Sequence, residues 1–156
     1  VVFMTDGRFG SLQPMPIEEF IQLRKKEATT ALEALGVAAS DIIFLDRLDG
    51  TLANLASEPR QNLVEQLVQL LHQTAPGEVY VPHHKDFHAD HEATYELVKT
   101  AIDRSGLQVD LLQYPIWILW QNPLSFQLTK QDLKRAYRLE INSVRDKKRQ
   151  AIETYQ

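Results

Sequence analysis

Histidines and aspartates are concentrated in one stretch of this sequence, from His83 to His91. Its nine residues hold four of the five histidines of the chain and two aspartates, Asp86 and Asp90. Histidine and carboxylate side chains bind first-row metals and transfer protons near neutral pH. A catalytic zinc ion takes three protein ligands and leaves a position for water, which suits the hydrolysis of an amide or an ester. We therefore predict one part of a metal-hydrolase site in this stretch.

The spacing within this stretch does not identify which side chains bind the metal. The candidates are all of its histidines and aspartates, namely His83, His84, Asp86, His88, Asp90 and His91. A polar loop, whose histidines are exposed to solvent or cap the following helix, is the alternative interpretation. Ionisable side chains concentrate at functional sites, so the density of the cluster favours the metal site. The fifth histidine, His72, is predicted to lie on the surface of the preceding helix.

Short apolar runs alternate with amphipathic segments along the chain, and they predict the elements that position these side chains. Strands are predicted over residues 1–4, 41–45, 78–81 and 109–114, with further strand material over 116–120 and an edge strand over 137–141. Helices are predicted over residues 17–35, 59–73, 92–104 and 144–155, the last one capped by Ser143 with Asp146 at its third position. Strands that alternate with helices of this length indicate an α/β fold, with a mostly parallel sheet and helices on both faces.

Acidic residues follow the first two predicted strands at the points where those strands end. Asp6 stands after the first strand, and Asp49 stands in the turn after the second. Proteins with a parallel sheet usually bind their ligands at the carboxyl ends of the strands, so both aspartates are candidates for contact with a ligand. An aspartate in a turn is, however, more often only a turn former. Arg24 and Glu27 are three residues apart on the first helix, where they are neighbours on one face. A solvated ion pair is the ordinary interpretation of such a pair.

The composition is that of an ordinary globular protein of one domain, or of a large part of one. The 156 residues carry a formal net charge of −4, which offers no basic surface for nucleic acid. The absence of cysteine excludes disulfides and thiolate metal sites. Neither an apolar run of about 18 residues nor a signal peptide is found in the sequence. We therefore expect a cytoplasmic protein with a small-molecule partner, and composition says nothing of its oligomeric state.

Four motifs, in the same order along the chain, resemble those of the PIG-L/LmbE-like zinc-dependent N-acetylglucosamine deacetylases. They are Thr5-Asp6-Gly7, Arg24-x-x-Glu27-Ala28 with Leu35-Gly36, Asp49-Gly50-x-Leu52, and Pro82 followed by Asp86-x-His88-x-Asp90-His91. Ala89 stands where this family commonly has proline. The resemblance covers about the first hundred residues. A weaker resemblance extends beyond Tyr114, into a region that would set substrate specificity.

The resemblance implies a Rossmann-like α/β fold and a reaction in which Zn²⁺ assists the removal of an acetyl group from an N-acetylated amino sugar or glycoconjugate. By position in the motifs, His91 would bind the zinc ion. His88 would polarise the carbonyl oxygen or protonate the leaving amine, and Asp90 would orient His88. The resemblance also places Arg24, Asp49 and Asp6 around the sugar. A guanidinium or a carboxylate can form hydrogen bonds with two hydroxyl groups at once.

One motif of the family, His-Pro-Asp-Asp-Glu, is not found in this sequence. In the family it supplies two further zinc ligands and the general base, and it would lie on a strand upstream of Val1. We therefore expect residues 1–156 to be a single deacetylase domain that lacks its first strand and is truncated at both ends. The isolated segment is then expected to bind zinc weakly and to be inactive. Two other hypotheses stay open, a metal-dependent phosphoesterase and a catalytically degenerate sugar-binding module.

Overall fold

Four strands and four longer helices are found in the part of the chain that the structure describes. The computed structural model describes residues 1–10, 15–120, 128–129, 132 and 134–155. Its strands are β1 (Val2–Thr5), β2 (Ile43–Arg47), β3 (Glu78–Pro82) and β4 (Asp110–Tyr114). Its longer helices are α1 (Ile17–Ala34), α2 (Ser57–Thr74), α3 (Ala89–Ser105) and α4 (Arg145–Ile152). The alternation of strands and helices confirms the predicted α/β class.

The chain divides into two compact units, of which the first contains Val1–Asp49 and Ala136–Gln156. In this unit β1 and β2 pair in parallel, and the rings of Phe3 and Phe44 stack with their centroids 4.9 Å apart. The apolar face of α1 is buried through Phe20, Ala28 and Ala31, and α4 packs against α1. The φ angle of Gly36 is +93°, so a glycine in the left-handed conformation ends α1, as the sequence predicted.

The second unit contains Gly50–Arg135. In this unit β3 and β4 pair in parallel and in unbroken register, from Glu78 opposite Asp110 to Pro82 opposite Tyr114. The helices α2 and α3 pack against each other. Their buried side chains recur at intervals of three or four residues and are Leu63, Val64, Leu67, Val68, Leu71, Ala93, Leu97, Val98 and Ala101. This stripe is the apolar face of an amphipathic helix pair, and it matches the sequence pattern.

The segment after β4 does not continue the sheet. Trp117–Trp120 form a 3-10 turn, where the sequence pattern predicted strand material. The N–H groups of Ile116 and Ile118 donate to the side chain of Asp86 and not to a neighbouring strand. The strand prediction is therefore wrong, because Pro115 interrupts the strand pattern and a side chain satisfies the backbone beyond it.

The predictions for the C-terminal region need two corrections. Residues 137–141 are not a strand, and their side chains are mostly exposed, so they have no buried face to stabilise one. The helix α4 begins at Arg145, after a 3-10 turn over Asn142–Val144, and no side chain caps it. Ser143 lies inside that turn. The prediction that Ser143 caps the helix, with Asp146 at the third position, is therefore wrong.

One predicted loop, over residues 121–127, lies outside the residues that the structure describes. Within the described ranges, no helix combines the length and the apolar character that a membrane crossing needs. Of the predicted surface residues, His72 is exposed on α2 as expected.

Candidate active site

The strand β3 leads directly into the histidine stretch, and α3 begins inside it. His88 is the residue before the first helical turn, with an extended backbone at φ −133° and ψ 120°. Its carbonyl accepts the N–H groups of His91 and Glu92 at 3.0 and 3.1 Å. The helix therefore starts at Ala89, three residues earlier than predicted, and it carries His91 on its first turn. The rings of His88 and His91 lie side by side, with centroids 4.4 Å apart.

A buried carboxylate fixes one of these two imidazoles. Asp86 is fully buried, and its Oδ2 lies 2.7 Å from Nδ1 of His91. Its Oδ1 accepts the backbone N–H groups of Ile116 and Ile118 at 2.8 and 3.1 Å. Burial alone would raise the pKa of Asp86, but the hydrogen bonds from His91 and from the backbone after β4 outweigh it and lower that pKa. The carboxylate is therefore ionised at neutral pH, and it accepts a hydrogen bond from the N–H at Nδ1 of His91.

Asp90 is bonded to the backbone of a turn in the second unit. It is only 4% exposed, and its two carboxylate oxygens accept the backbone N–H groups of Gly50 and Leu52 at 2.7 and 3.0 Å. Between the described residues His88 and Asp90 there is no side-chain hydrogen bond. Asp90 therefore anchors the turn from Gly50 to Leu52 on the first turn of α3. Its role in orienting His88 stays a prediction.

The ring of His88 has one nitrogen that finds no hydrogen-bond partner among the described residues. Its Nδ1 is buried and makes no hydrogen bond within the described part of the chain. A buried imidazole nitrogen without a partner loses its hydration and gains nothing in exchange. Because the ring stands beside His91, this nitrogen is a candidate for contact with a bound molecule.

The other two histidines of the stretch are engaged elsewhere in the second unit. Nδ1 of His83 accepts the N–H of Lys85 at 3.1 Å, so its neutral ring carries the proton on Nε2. Nδ1 of His84 lies 2.7 Å from Oε1 of Gln113, and the rings of His83 and His84 stack at 4.5 Å. Burial, and after it the charge of His84, lower the pKa of His83. These contacts engage Nδ1 of both rings.

In the first unit, the two predicted binding aspartates lie next to each other. Oδ2 of Asp6 accepts hydrogen bonds from Nε and Nη2 of Arg8 at 2.9 and 2.6 Å, and its Oδ1 accepts the N–H of Asp49 at 3.4 Å. Asp49 in turn accepts the N–H of Phe9 at 3.4 Å through its Oδ2. The carboxyl ends of β1 and β2 thus meet, as the parallel pairing predicts, but Asp6 is already paired with a guanidinium that the sequence analysis did not single out.

The pairing of Asp6 predicts a measurable pH dependence. Burial would raise the pKa of Asp6, but the hydrogen bonds of Arg8 and of the Asp49 backbone lower it below its ordinary value of 3.8. A lowered folded-state pKa stabilises the fold above the unfolded pKa, and this stability is lost as the pH falls through the folded pKa. We expect Arg8→Met to raise the pKa of Asp6 in a carboxyl NMR titration, whereas Lys26→Met on the exposed side of α1 leaves it unchanged. An unchanged pKa in Arg8→Met would contradict the pairing.

The third predicted binding residue, Arg24, does not form a solvated surface pair. Its Nη1 lies 3.1 Å from Oε2 of Glu27, which is 5% exposed. Its guanidinium also lies over the rings of Phe20 and Tyr155, at 4.9 and 5.7 Å from their centroids. Burial and the charge of Glu27 raise the pKa of Tyr155. The guanidinium is therefore held by a buried carboxylate and two aromatic rings, which fixes its position.

An open pocket of about 190 Å³ lies in the first unit beside this guanidinium. Its wall is mostly apolar, and its lining side chains include those of Phe3, Phe44, Ala28, Tyr155, Asp6, Arg24 and Lys25. An apolar wall with a few charged groups is typical of a small-molecule site. Tyr155, on the segment after α4, was not expected in such a pocket, because its position far along the chain gave no signal in the sequence.

The described residues do not form a complete metal site. Among them, no three histidine, aspartate or glutamate side chains converge in a geometry that could hold a metal ion. His91 nevertheless suits a metal, because Asp86 takes the hydrogen bond of the Nδ1 proton and leaves the lone pair of Nε2 available. A zinc ion bound to His91 would therefore need further ligands from outside the described residues.

Comparisons with known proteins agree with the α/β fold. The profile of the PIG-L family, described as GlcNAc-PI de-N-acetylase, matches residues 1–102. The conserved protein TT1542 from Thermus thermophilus is 24% identical with a TM-score of 0.70, over 99% of this chain and 63% of its own. N,N′-diacetylchitobiose deacetylase from Pyrococcus horikoshii, in complex with its inhibitor MPG, is 21% identical with a TM-score of 0.58, over 98% of this chain and 57% of its own. The chain has the fold of both proteins and spans less than two thirds of the length of either.

Proposed function

Because this chain belongs to the PIG-L family, that of the GlcNAc-PI de-N-acetylases, we propose that its protein hydrolyses the N-acetyl group of an amino sugar or glycoconjugate. The structural neighbour from Pyrococcus horikoshii, a deacetylase of diacetylchitobiose, supports this substrate class. The observation that carries the proposal is the pair of Asp86 and His91, at the N-terminus of α3. A buried carboxylate bonded to Nδ1 of a histidine is the usual arrangement around a metal-binding imidazole.

We assign the chemical roles in the second unit to two imidazoles. His91 would bind Zn²⁺ through Nε2, together with ligands from outside the described residues. Zinc, when bound there, would supply a Lewis acid for the amide carbonyl and a water of lowered pKa. His88 stands beside His91 and would protonate the leaving amine or stabilise the developing oxyanion. In addition to the orienting role that the resemblance gives it, Asp90 anchors the turn at residues 50–52.

The binding roles are assigned within the first unit. The guanidinium of Arg24 lines the pocket and is held by Glu27 and Tyr155, so it is fixed for hydrogen bonds with hydroxyl groups. Asp49 is half-buried, and the bond that its carboxylate accepts from Phe9 is long, which leaves it able to accept from a sugar hydroxyl. Asp6 contributes through its pairing with Arg8 and the Asp49 backbone. A cytoplasmic location stays a prediction.

The phosphoesterase alternative loses its main support. A phosphate group would need a cation near the histidine stretch, and Lys85 is the one that the stretch offers. Nζ of Lys85 bonds to Oδ2 of Asp132 at 2.8 Å. This ion pair neutralises the charge on which that alternative depended. The sugar-binding alternative needs no catalysis, and the acetate-release experiment described next distinguishes it from the deacetylase.

The test is the release of acetate by the complete gene product that contains this chain. We expect the zinc-loaded protein to release acetate from N-acetylglucosaminyl-phosphatidylinositol or from diacetylchitobiose. A chelator should stop the release, and added Zn²⁺ should restore it. Release of phosphate from a phosphomonoester would favour the phosphoesterase. Binding of either sugar without acetate release, by protein that holds stoichiometric zinc, would refute the proposal in favour of the binding module.

A further inference from the structure

We propose that Asp86 is the positioning residue of this site: it fixes the tautomer and the direction of the His91 ring and ties the segment after β4 to the same point. The proposal deepens the proposed function and rests on it for its catalytic meaning. The sequence motif placed Asp86 among six candidates and gave it no role. Its contacts give it one.

The first step of the argument is the proton on Nδ1 of His91. Asp86 is 0% exposed, and its Oδ2 lies 2.7 Å from that nitrogen. An ionised carboxylate is an acceptor only, so the contact requires an N–H on Nδ1. A neutral ring has a single N–H, and Nε2 therefore keeps its lone pair. The His91 side chain is still 22% exposed, so its ring stays within reach of a ligand.

The second step is that Asp86 cannot turn away from His91. Its Oδ1 accepts two backbone N–H groups, from Ile116 and Ile118. Its own N–H donates to the carbonyl of His83 at 3.1 Å, which closes the turn at the end of β3. The following residue, Phe87, has a φ of +57°, the left-handed conformation that directs the chain towards α3. The backbone N–H groups of Ile116 and Ile118 therefore fix the carboxylate, and the carboxylate fixes the imidazole of His91.

An isosteric substitution separates positioning from packing. In Asp86→Asn, the amide oxygen can still accept the N–H groups of Ile116 and Ile118. The amide nitrogen then faces Nδ1 of His91 and can only donate. Nδ1 must become an acceptor, so the proton moves to Nε2 and the metal-binding lone pair is lost. We expect the zinc affinity to fall by about 10- to 100-fold, as for other outer partners of metal ligands.

The first measurement is the tautomer of His91, read by long-range ¹⁵N–¹H NMR on the metal-free protein at about pH 8, above the range in which an ordinary histidine titrates. The unmodified protein should show the proton on Nδ1, and Asp86→Asn should show it on Nε2. The matched control is Asp90→Asn, which disturbs a buried carboxylate four residues along the chain but should leave the His91 tautomer unchanged. A proton on Nε2 in the unmodified protein would overturn the proposal, even if Asp86→Asn does not fold.

The second measurement is zinc affinity, by competition with a chromophoric chelator on the complete gene product. A tautomer change with a matching loss of affinity supports the positioning role. An unchanged tautomer in folded Asp86→Asn, or an equal tautomer change in Asp90→Asn, would contradict the positioning role of Asp86. Either result would leave the deacetylase proposal intact. If the tautomer changes as expected but the zinc-loaded protein releases no acetate, the proposed function fails and the positioning of His91 stands.

Discussion

Replacing His91 by alanine is expected to remove zinc binding and acetate release together from the complete protein. Nε2 of His91 is the proposed metal donor, and the bond from Nδ1 to Asp86 fixes the direction of its ring. Loss of a ligand should cost more than the roughly 10- to 100-fold that loss of an outer-shell partner costs. Competition with a chromophoric chelator and an acetate assay on the same preparations measure both effects.

The control for this prediction is His83→Ala in the same histidine stretch. Nδ1 of His83 accepts the N–H of Lys85, and its ring stacks on His84, so its removal should change zinc affinity by less than about 3-fold. Circular dichroism of both variants serves to check that they fold. Equal losses of zinc binding in the two variants would show that the assignment of the ligand is wrong.

Asp90→Ala is expected to have the largest effect on stability. The change leaves the N–H groups of Gly50 and Leu52 without their acceptor, and Leu52 is fully buried. A buried donor without a partner costs about 1–3 kcal/mol, and the exposed Gly50 can recover part of its loss from water. We expect the free energy of unfolding to fall by about 2–4 kcal/mol in denaturant titrations.

Asp103→Ala is the control on the same helix. Asp103 pairs with Lys99 at 3.2 Å, but its side chain is 66% exposed, so the pair is screened by solvent. The free energy of unfolding should change by less than about 0.5 kcal/mol. A comparable loss in both variants would mean that the turn at residues 50–52 does not depend on Asp90.

The sequence was sufficient for those parts of the fold that depend on local pattern. The apolar spacing in α2 and α3 identified both helices, and the side chains at those positions, such as Leu63 and Leu97, are buried. The placement of Asp6 and Asp49 at strand ends also follows from local order, because parallel strands bring their carboxyl ends to one edge. The boundaries were less accurate, since α3 begins before the predicted residue.

The partners within the site could not be predicted in the same way. Asp86 and Asp90 are both aspartates in one motif, and spacing does not distinguish a carboxylate that holds an imidazole from one that holds a turn. The distinction depends on residues far away in the chain, Ile116 for Asp86 and Leu52 for Asp90. The 3-10 turn after β4 was missed for the same reason, because its backbone donors are satisfied by a distant side chain and not by a strand.

The most direct test of the account is the position of zinc in the zinc-loaded complete protein, located by anomalous diffraction at the zinc absorption edge. We predict an anomalous peak about 2.0–2.1 Å from Nε2 of His91, with Asp86 still bonded to Nδ1 of the same ring. A peak at His83 or His84 instead, or a His91 ring that binds zinc through Nδ1, would contradict it.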